Sequence, residues 1–334
     1  MRTQIAPICG GILVGVAALH YASCFAVLHN LGNNDWVAVD LDGEFSMNGN
    51  IPNPPEFTLA PRHLDMLKKS GDRHKYDYGH AVIVSGPSGQ GGAARLAARG
   101  ALRIGAGLVS VICALDSRAE HAARLDAIMV KTYDDRKGFL DKISALNPSA
   151  VCIGPNLGLC DQSRLKLIET LSLAVPLCID ADAITLIAQD PHLIKTGHHH
   201  HVVMTPHEGE LRRLIPAAFT KTSCRVSLAK FAADEMHCCV LFKGPETIIA
   251  CPNGDCTVVK STSFHDTAWL ATAGSGDVLS GFITGLMARG FDAFDAAAIG
   301  ANLHLRCAEV IGPGLIAEDL SDALPRVFSG LFKG

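Results

Sequence analysis

The sequence predicts an α/β protein: a mostly parallel central sheet, helices on both of its faces, and an antiparallel hairpin at one edge. Three observations lead there. From Gly79 onward, short β-rich runs alternate with longer Ala- and Leu-rich runs of helical character, the pattern of repeated strand–helix–strand crossovers. The earlier strand candidates are apolar on both faces, as in a parallel sheet covered by helices. Near the end, "TIIAC" and "CTVVK" flank "PNGD", turn residues that fold two strands back on each other.

The elements follow in order. Residues 5–28 are almost continuously apolar, interrupted by Pro7, His20 and Ser23. That length could span a bilayer. Gly, Ala and Cys dominate it, however, only Arg2 flanks it on the N-terminal side, and no A-x-A-like cleavage site stands out. It reads as a degraded or buried segment rather than an anchor. Residues 30–75 are rich in Asn, Gly, Pro and charge, and "NGNIPNPPEF" reads as an extended linker. The domain boundary is placed there, dividing 1–70 from 71–334. Strands are expected at 80–85, 108–113, 150–154, 176–180, 201–205, 238–244, 247–251 and 256–260. Helices are expected at 92–104, 161–173, 208–214, 224–236, 275–289 and 293–309.

Composition narrows the function. The 334 residues are 48% hydrophobic and 19% charged with a formal net charge of −4, which suits a globular protein with a sizeable core. No Lys/Arg cluster or aromatic–basic interleaving appears, which argues against nucleic-acid binding. The 12 cysteines include no C-x-x-C pair, and most sit in apolar runs as small core residues. Cys251 and Cys256 flank "PNGD", so they are expected to approach across the hairpin as a reduced pair.

The polar stretches cluster at expected strand ends, where open α/β sheets bind ligands. In "ATAGSGDVLSG" (271–281), Gly274 and Gly276 permit unusual backbone angles. Their amides, with that of Ser275, open a helix and so attract an anion. Asp277 sits beside that anion site, within reach of a substrate hydroxyl. A phosphate cradle next to a carboxylate base suits phosphoryl transfer to an alcohol; a capping acid on a tight turn is the plainer alternative. "FKGPET" places Lys243 at a strand end, able to meet a nucleotide phosphate, with Gly244 and Pro245 turning the chain. Glu246 and Thr247 could touch ribose or metal-bound water. "TPHEGE" gathers Glu208 and Glu210 in a first helical turn, matched to the dipole, and puts His207 at the strand end, to bond a substrate or simply to sit in a loop. "GPNLG" holds Asn156, which tolerates left-handed angles. In "DADA", Asp180 and Asp182 could hold a hydrated magnesium ion, or Asp182 could cap a helix. "SGPSGQGGA" resembles a dinucleotide fingerprint only in its looser form, with no acid closing the next strand; its loop 89–93 can still cover a ligand. "GHHHHVV" (197–203) reads as a polar loop, because consecutive histidines alternate faces.

With these residues in view, the sequence from about Gly71 to Val327 resembles the ADP/ATP-dependent NAD(P)H-hydrate dehydratases. "HKYDYGHAVIVSG", "GGAARLAARGALRIGAGLVSV", "GPNLG", "IDADAI", "TPHEGE", "LFKGPETIIA", "WLATAGSGDVLSG" and "GPGLIAEDL" run in family order. The resemblance implies the ribokinase-like fold in three α/β/α layers. It implies NADHX or NADPHX, the hydrated reduced cofactor, as substrate, with ADP (or ATP) as phosphoryl donor and Mg2+ as cofactor. Asp277 would stand beside the substrate hydroxyl, with Gly274, Ser275 and Gly276 as the anion hole. Lys243, Gly244, Pro245, Glu246, Thr247 and Gly276 would line the nucleotide; Ala93, Asn156 and His207 would line the hydrate. A cytoplasmic homo-oligomer, a tetramer by resemblance, is also implied. Two departures stand out. The family usually has Gly at the position of Asn156. Relatives often carry an epimerase domain of some two hundred residues ahead of this one, whereas "LGNNDWVAVDLDG" looks like a scrap of it, so residues 1–70 are expected to be a remnant without epimerase activity. Two other readings compete: a ribokinase-like kinase of a vitamin-precursor alcohol, whose product keeps its phosphate, and a nucleotide-binding protein that has lost catalysis.

Overall fold

The structure is a computed structural model that describes residues 27–30, 36–39, 45–46, 53–134, 138–195, 201–261 and 263–333. Nearly all of the apolar stretch at 5–28, and His198 to His200, lie outside these residues. Strands β1 (Val27–Asn30), β2 (Trp36–Val39) and β3 (Phe45–Ser46) form a small antiparallel sheet. Next come α1 (Pro61–Leu67), β4 (His80–Val84), α2 (Gly92–Arg103), β5 (Leu108–Ala114), α3 (Arg118–Ala122), β6 (Met129–Tyr133) and α4 (Phe139–Ala145). The middle of the chain holds β7 (Ala150–Ile153), α5 (Asp161–Leu171), β8 (Leu177–Ile179), α6 (Ala181–Gln189), α7 (His192–Lys195), β9 (Val202–Met204) and α8 (Glu208–Leu214). It closes with α9 (Pro216–Lys221), α10 (Arg225–Met236), β10 (Cys239–Phe242), β11 (Thr247–Ala250), β12 (Cys256–Val259), α11 (Phe264–Thr267), α12 (Ser275–Ala288), α13 (Ala293–Ile311) and α14 (Ala317–Leu331).

Among the described residues the main sheet has nine strands in the order β12-β11-β10-β9-β8-β7-β4-β5-β6. Every pairing from β10 to β6 is parallel, and β11 and β12 add an antiparallel edge. Period-two alternation sends Ala81 and Ile83 into one core and Val82 and Val84 into the other, so β4 is buried on both faces. One core lies under α2, α12, α13 and α14, the other under α4, α5, α6, α8 and α10. Among the described residues, no helix is long and apolar enough to cross a membrane.

Helices α2 and α12 meet backbone to backbone. A Cβ on Gly281 would come within 2.1 Å of the Ala97 carbonyl oxygen, and one on Gly285 within 2.3 Å of Ile104 Cγ2. Only small residues allow this approach, and it aligns the two helices so that both N-termini open at the same edge of the sheet.

Two expectations change. The extended "NPPEF" segment is no free linker: the Phe57 amide donates to the Val258 carbonyl (2.8 Å), and Pro55 O accepts from the Val258 amide (3.1 Å). Prolines suit such an edge because they have no donor to leave unpaired. Leu67 is buried in the core beyond it, and Arg289 donates to the Met66 and Leu67 carbonyls that end α1. The packed unit therefore reaches back past residue 70 to about Pro55. Cys251 and Cys256, expected together, lie on opposite faces of the hairpin, Cys251 against one core and Cys256 against the other. Cys256 pairs instead with Ala250 in the strand register, and side chains one residue apart point to opposite faces.

Candidate active site

Because six of the strand pairings are parallel, the turns after β4, β7, β8, β9 and β10 gather at one edge. They are seated without room for side chains. A Cβ on Gly86 would lie 1.7 Å from the Asn156 carbonyl oxygen, and one on Gly154 would lie 1.7 Å from that of Asp180. The start of α12 is delivered to this edge by its packing on α2.

Gly274 caps α12 with φ of 87°, a left-handed angle, and a Cβ there would meet Leu96 Cδ1 at 2.6 Å and Ala317 Cβ at 3.0 Å. Ser275 is buried, and the Nε2–H of His304 donates to its carbonyl at 3.0 Å. A carbonyl can only accept, so that ring nitrogen carries the proton. Burial lowers the His304 pKa to about 4, which keeps the ring neutral beside the start of α12.

Asp277 lies in the first turn of α12. Burial pushes its carboxyl up to about 7; the charge of Asp180 adds to the rise, and Lys243 opposes it. A base with a pKa near neutrality is matched to proton transfer at physiological pH. Lys243 Nζ donates to Asp180 Oδ1 at 2.9 Å and lies 4.0 Å from Glu210 Oε2. Burial works against its cation, but Asp180, then Glu210, outweigh burial and hold it above its ordinary value. Asp180 in turn is 1% exposed. Burial alone would raise it, yet Lys243 and hydrogen bonds from Ser280 (2.6 Å), Lys243 and Thr205 bring it below the usual carboxylate range. The result is a buried charge network with Asp277 as its partly exposed acid.

The structure thus gathers Gly274, Ser275, Gly276, Asp277 and Lys243; a Cβ on Gly276 would lie 3.4 Å from Lys243 Nζ. Gly244 to Glu246 form an exposed loop leading into β11 at Thr247. Arg225, stacked on the Phe242 ring at 3.7 Å, shapes that loop by donating to the Phe242, Lys243 and Glu246 carbonyls. Glu246 pairs with Lys260 at 3.1 Å. Ala93 is buried in the first turn of α2. Asn156 adopts φ of 50° and donates from Nδ2 to the Gln90 carbonyl at 3.4 Å. His207 caps α8: its Nδ1 accepts from the Gly209 and Glu210 amides, and its own amide donates to Glu210 Oε2 at 2.8 Å. Its Nε2 lies 3.4 Å from Glu210 Oε1, so both ring nitrogens face the start of α8.

Asp180 and Asp182 do not fit a magnesium cage. Asp180 is committed to Lys243 and Ser280, and Asp182 Oδ2 accepts from the Gly158 amide at 2.8 Å. Among the described residues, no group of three His, Cys, Asp or Glu side chains could hold a metal. Sequence reasoning missed Asp180 as the partner of Lys243, Glu210 as a buried member of the network, and Ser280 and His304 altogether. For Asp180 a signal existed, an acid ending the wholly apolar strand "PLCI"; for Glu210 it was the three-residue spacing of a capping box. Ser280 and His304 carry no local signal.

An open parallel sheet in this order, with a glycine-opened helix and an acid at its carboxyl edge, defines a ribokinase-like protein. Within that class the family is specific: the model of the NAD(P)H-hydrate dehydratase family matches residues 81–326, and the chain belongs to that family. It is 33% identical to a bifunctional NAD(P)H-hydrate repair enzyme of Moorella thermoacetica, over 82% of this chain and 54% of that one. It is 31% identical to the ADP-dependent (S)-NAD(P)H-hydrate dehydratase of Neisseria meningitidis serogroup B, over 76% of this chain and 86% of that one. The chain spans about half the length of the bifunctional relatives it matches. The ADP/ATP-dependent NAD(P)H-hydrate dehydratase of Bacillus subtilis, co-crystallized with ATP and Mg2+, superposes with a TM-score of 0.69 at 26% identity, covering 84% of this chain and 99% of that one.

Proposed function

We propose that this chain dehydrates (S)-NADHX or (S)-NADPHX to NADH or NADPH in the cytoplasm, spending ADP and releasing AMP and phosphate. The observation that carries the reading is Asp277, a half-buried acid with a pKa of about 7, set in the first turn of α12 beside the amides of Gly274 to Gly276. Asp277 takes the proton of the hydrate's hydroxyl as that oxygen attacks the terminal phosphorus of the nucleotide, and AMP leaves. The backbone amides hold the phosphoryl oxygens, whose negative charge a helix N-terminus favours. Lys243, already beside Gly276, neutralises charge on the transferring group. The carbon–oxygen bond then breaks with the electron pair of the ring nitrogen behind it, phosphate departs, and loss of the neighbouring ring proton restores the dihydronicotinamide.

The loop from Lys243 to Thr247 lines the nucleotide, and Ala93, Asn156 and His207 line the hydrate. Asn156 suits that wall because its left-handed backbone keeps the turn that glycine would otherwise provide. Magnesium, when bound, would screen the phosphate charges; because no group of three ligating side chains is found among the described residues, the nucleotide's own phosphates would carry it. The test is recovery of dihydronicotinamide absorbance from NADHX with magnesium and either ADP or ATP. Recovery that Asp277→Asn abolishes supports the reading. Nucleotide binding without recovery sinks it, and a product that keeps its phosphate would favour a small-molecule kinase.

A further inference from the structure

Two consecutive residues of α3, Glu120 and His121, hold the glycine loop between β4 and α2 at both of its ends. At the far end, Glu120 Oε2 accepts from the Gly89 amide at 3.0 Å, where the backbone takes φ of 82°. Gly91, the next glycine, lies flat on the pair: a Cβ there would come within 2.5 Å of Glu120 Oε1 and 2.6 Å of His121 Cε1. At the near end, Ser85 Oγ donates to the Gly86 carbonyl at 3.2 Å and lies 2.9 Å from His121 Nε2. With the single hydroxyl proton on Gly86, the ring nitrogen must be the donor to Ser85. His121 is fully buried, and burial, then the Arg95 charge, hold it below its ordinary value against the pull of Glu120, so the ring is neutral.

The loop held in this way forms the wall on the hydrate side. Gly86 packs on the Asn156 carbonyl, and Gln90 O accepts from Asn156 Nδ2; Ala93 follows one turn later. Neither Glu120 nor His121 belongs to the phosphoryl-transfer network around Asp277. Each keeps one buried polar atom without a hydrogen bond, Oε1 and Nδ1 respectively, a cost that burial imposes and that a purely structural latch would have no reason to carry.

We propose that Glu120 and His121 are positioning residues for the hydrate, fixing the 86–91 loop so that the dihydropyridine ring is held against Asn156 and Ala93. The proposal rests on the dehydratase reading for its ligand, though not for the loop contact itself. Glu120→Ala, Glu120→Gln and Gly91→Ala test it; the last displaces the pair from the loop side. Hydrate and nucleotide KM and kcat are measured for each, and amide hydrogen exchange across 86–92 is followed without substrate. Glu120→Ala should raise the hydrate KM roughly tenfold, as loss of one charged hydrogen bond does, with kcat and nucleotide KM within about twofold of wild type. Exchange across 86–92 should quicken, Gly91→Ala should reproduce both effects, and Glu120→Gln, which keeps an acceptor oxygen, should restore both. Unchanged exchange in Glu120→Ala, or a nucleotide KM that rises along with the hydrate KM, overturns the assignment. If wild type turns over no hydrate with either nucleotide, the dehydratase reading fails, while the exchange data still decide whether Glu120 holds the loop.

Discussion

Replacing Asp277 by Asn should abolish turnover and yet stabilise the fold, with the gain growing from acid to neutral pH. Burial lifts this carboxyl from 3.8 to about 7. An acid whose pKa is higher in the folded state than in the unfolded one binds its proton more tightly when folded. Ionising it therefore costs stability; the cost starts near the unfolded pKa, grows through the interval, and is constant above about pH 7. At about 1.4 kcal/mol per pKa unit, the full interval amounts to roughly 4 kcal/mol. Water reaching a carboxyl that is not fully buried halves this to about 2 kcal/mol. Asn carries no charge at any pH and escapes the cost. Urea unfolding of both proteins at pH 5 and pH 8 reads the difference directly. The variant should be more stable by about 2 kcal/mol at pH 8 and by less than half of that at pH 5. A variant that is less stable at pH 8, or a difference that does not change with pH, would refute the reasoning, because Lys243 would then fully compensate the carboxylate.

Other perturbations separate the parts of the site. In wild type, kcat/KM should rise with pH through about 7 as Asp277 ionises; Asp180→Asn, by removing a neighbouring negative charge, should move that acid limb down by about one pH unit. The same variant leaves Lys243 without its closest buried partner and should lose roughly 3 kcal/mol of stability to urea. Lys243→Met should lower kcat by about a hundredfold or more while the fold survives, which single-turnover kinetics with ADP would show. Gly281→Ala, whose methyl would meet the Ala97 carbonyl, should cost about 2 kcal/mol and lower Tm by several degrees.

Much of this architecture was legible because its signals are local. Apolar runs such as "HAVIVS" and "AVCIG" mark strands buried on both faces, and the glycines after them mark turns where backbones touch. β6 was overlooked because its residues are mostly half-buried and carry polar Lys131 and Thr132 between apolar neighbours. α14 was overlooked with Pro325 inside it, a residue that argues against a helix interior. At the site, "AGSGD" announced a glycine-capped helix start with an acid in its first turn, because backbone freedom and an acid are both written in a few adjacent letters. "DADA" was misleading: a pair of acids suits a metal as well as an ion pair, and what decides is Lys243, 63 residues further on. His304 meets Ser275 only because α13 packs across α12, a long-range fact with no trace in either segment. His207, expected at the substrate or in a plain loop, turns both ring nitrogens toward its own helix start, Nδ1 to the Gly209 and Glu210 amides and Nε2 to Glu210 Oε1.

The central claim is that the hydroxyl oxygen of the hydrate becomes an oxygen of phosphate. NADHX carrying 18O in that hydroxyl, turned over with ADP and magnesium, tests it directly by mass spectrometry of the products. Phosphoryl transfer assisted by Asp277 predicts one 18O in each inorganic phosphate released and none in water. Label appearing in water, with unlabelled phosphate, would mean that the hydroxyl left without being phosphorylated and would contradict the account.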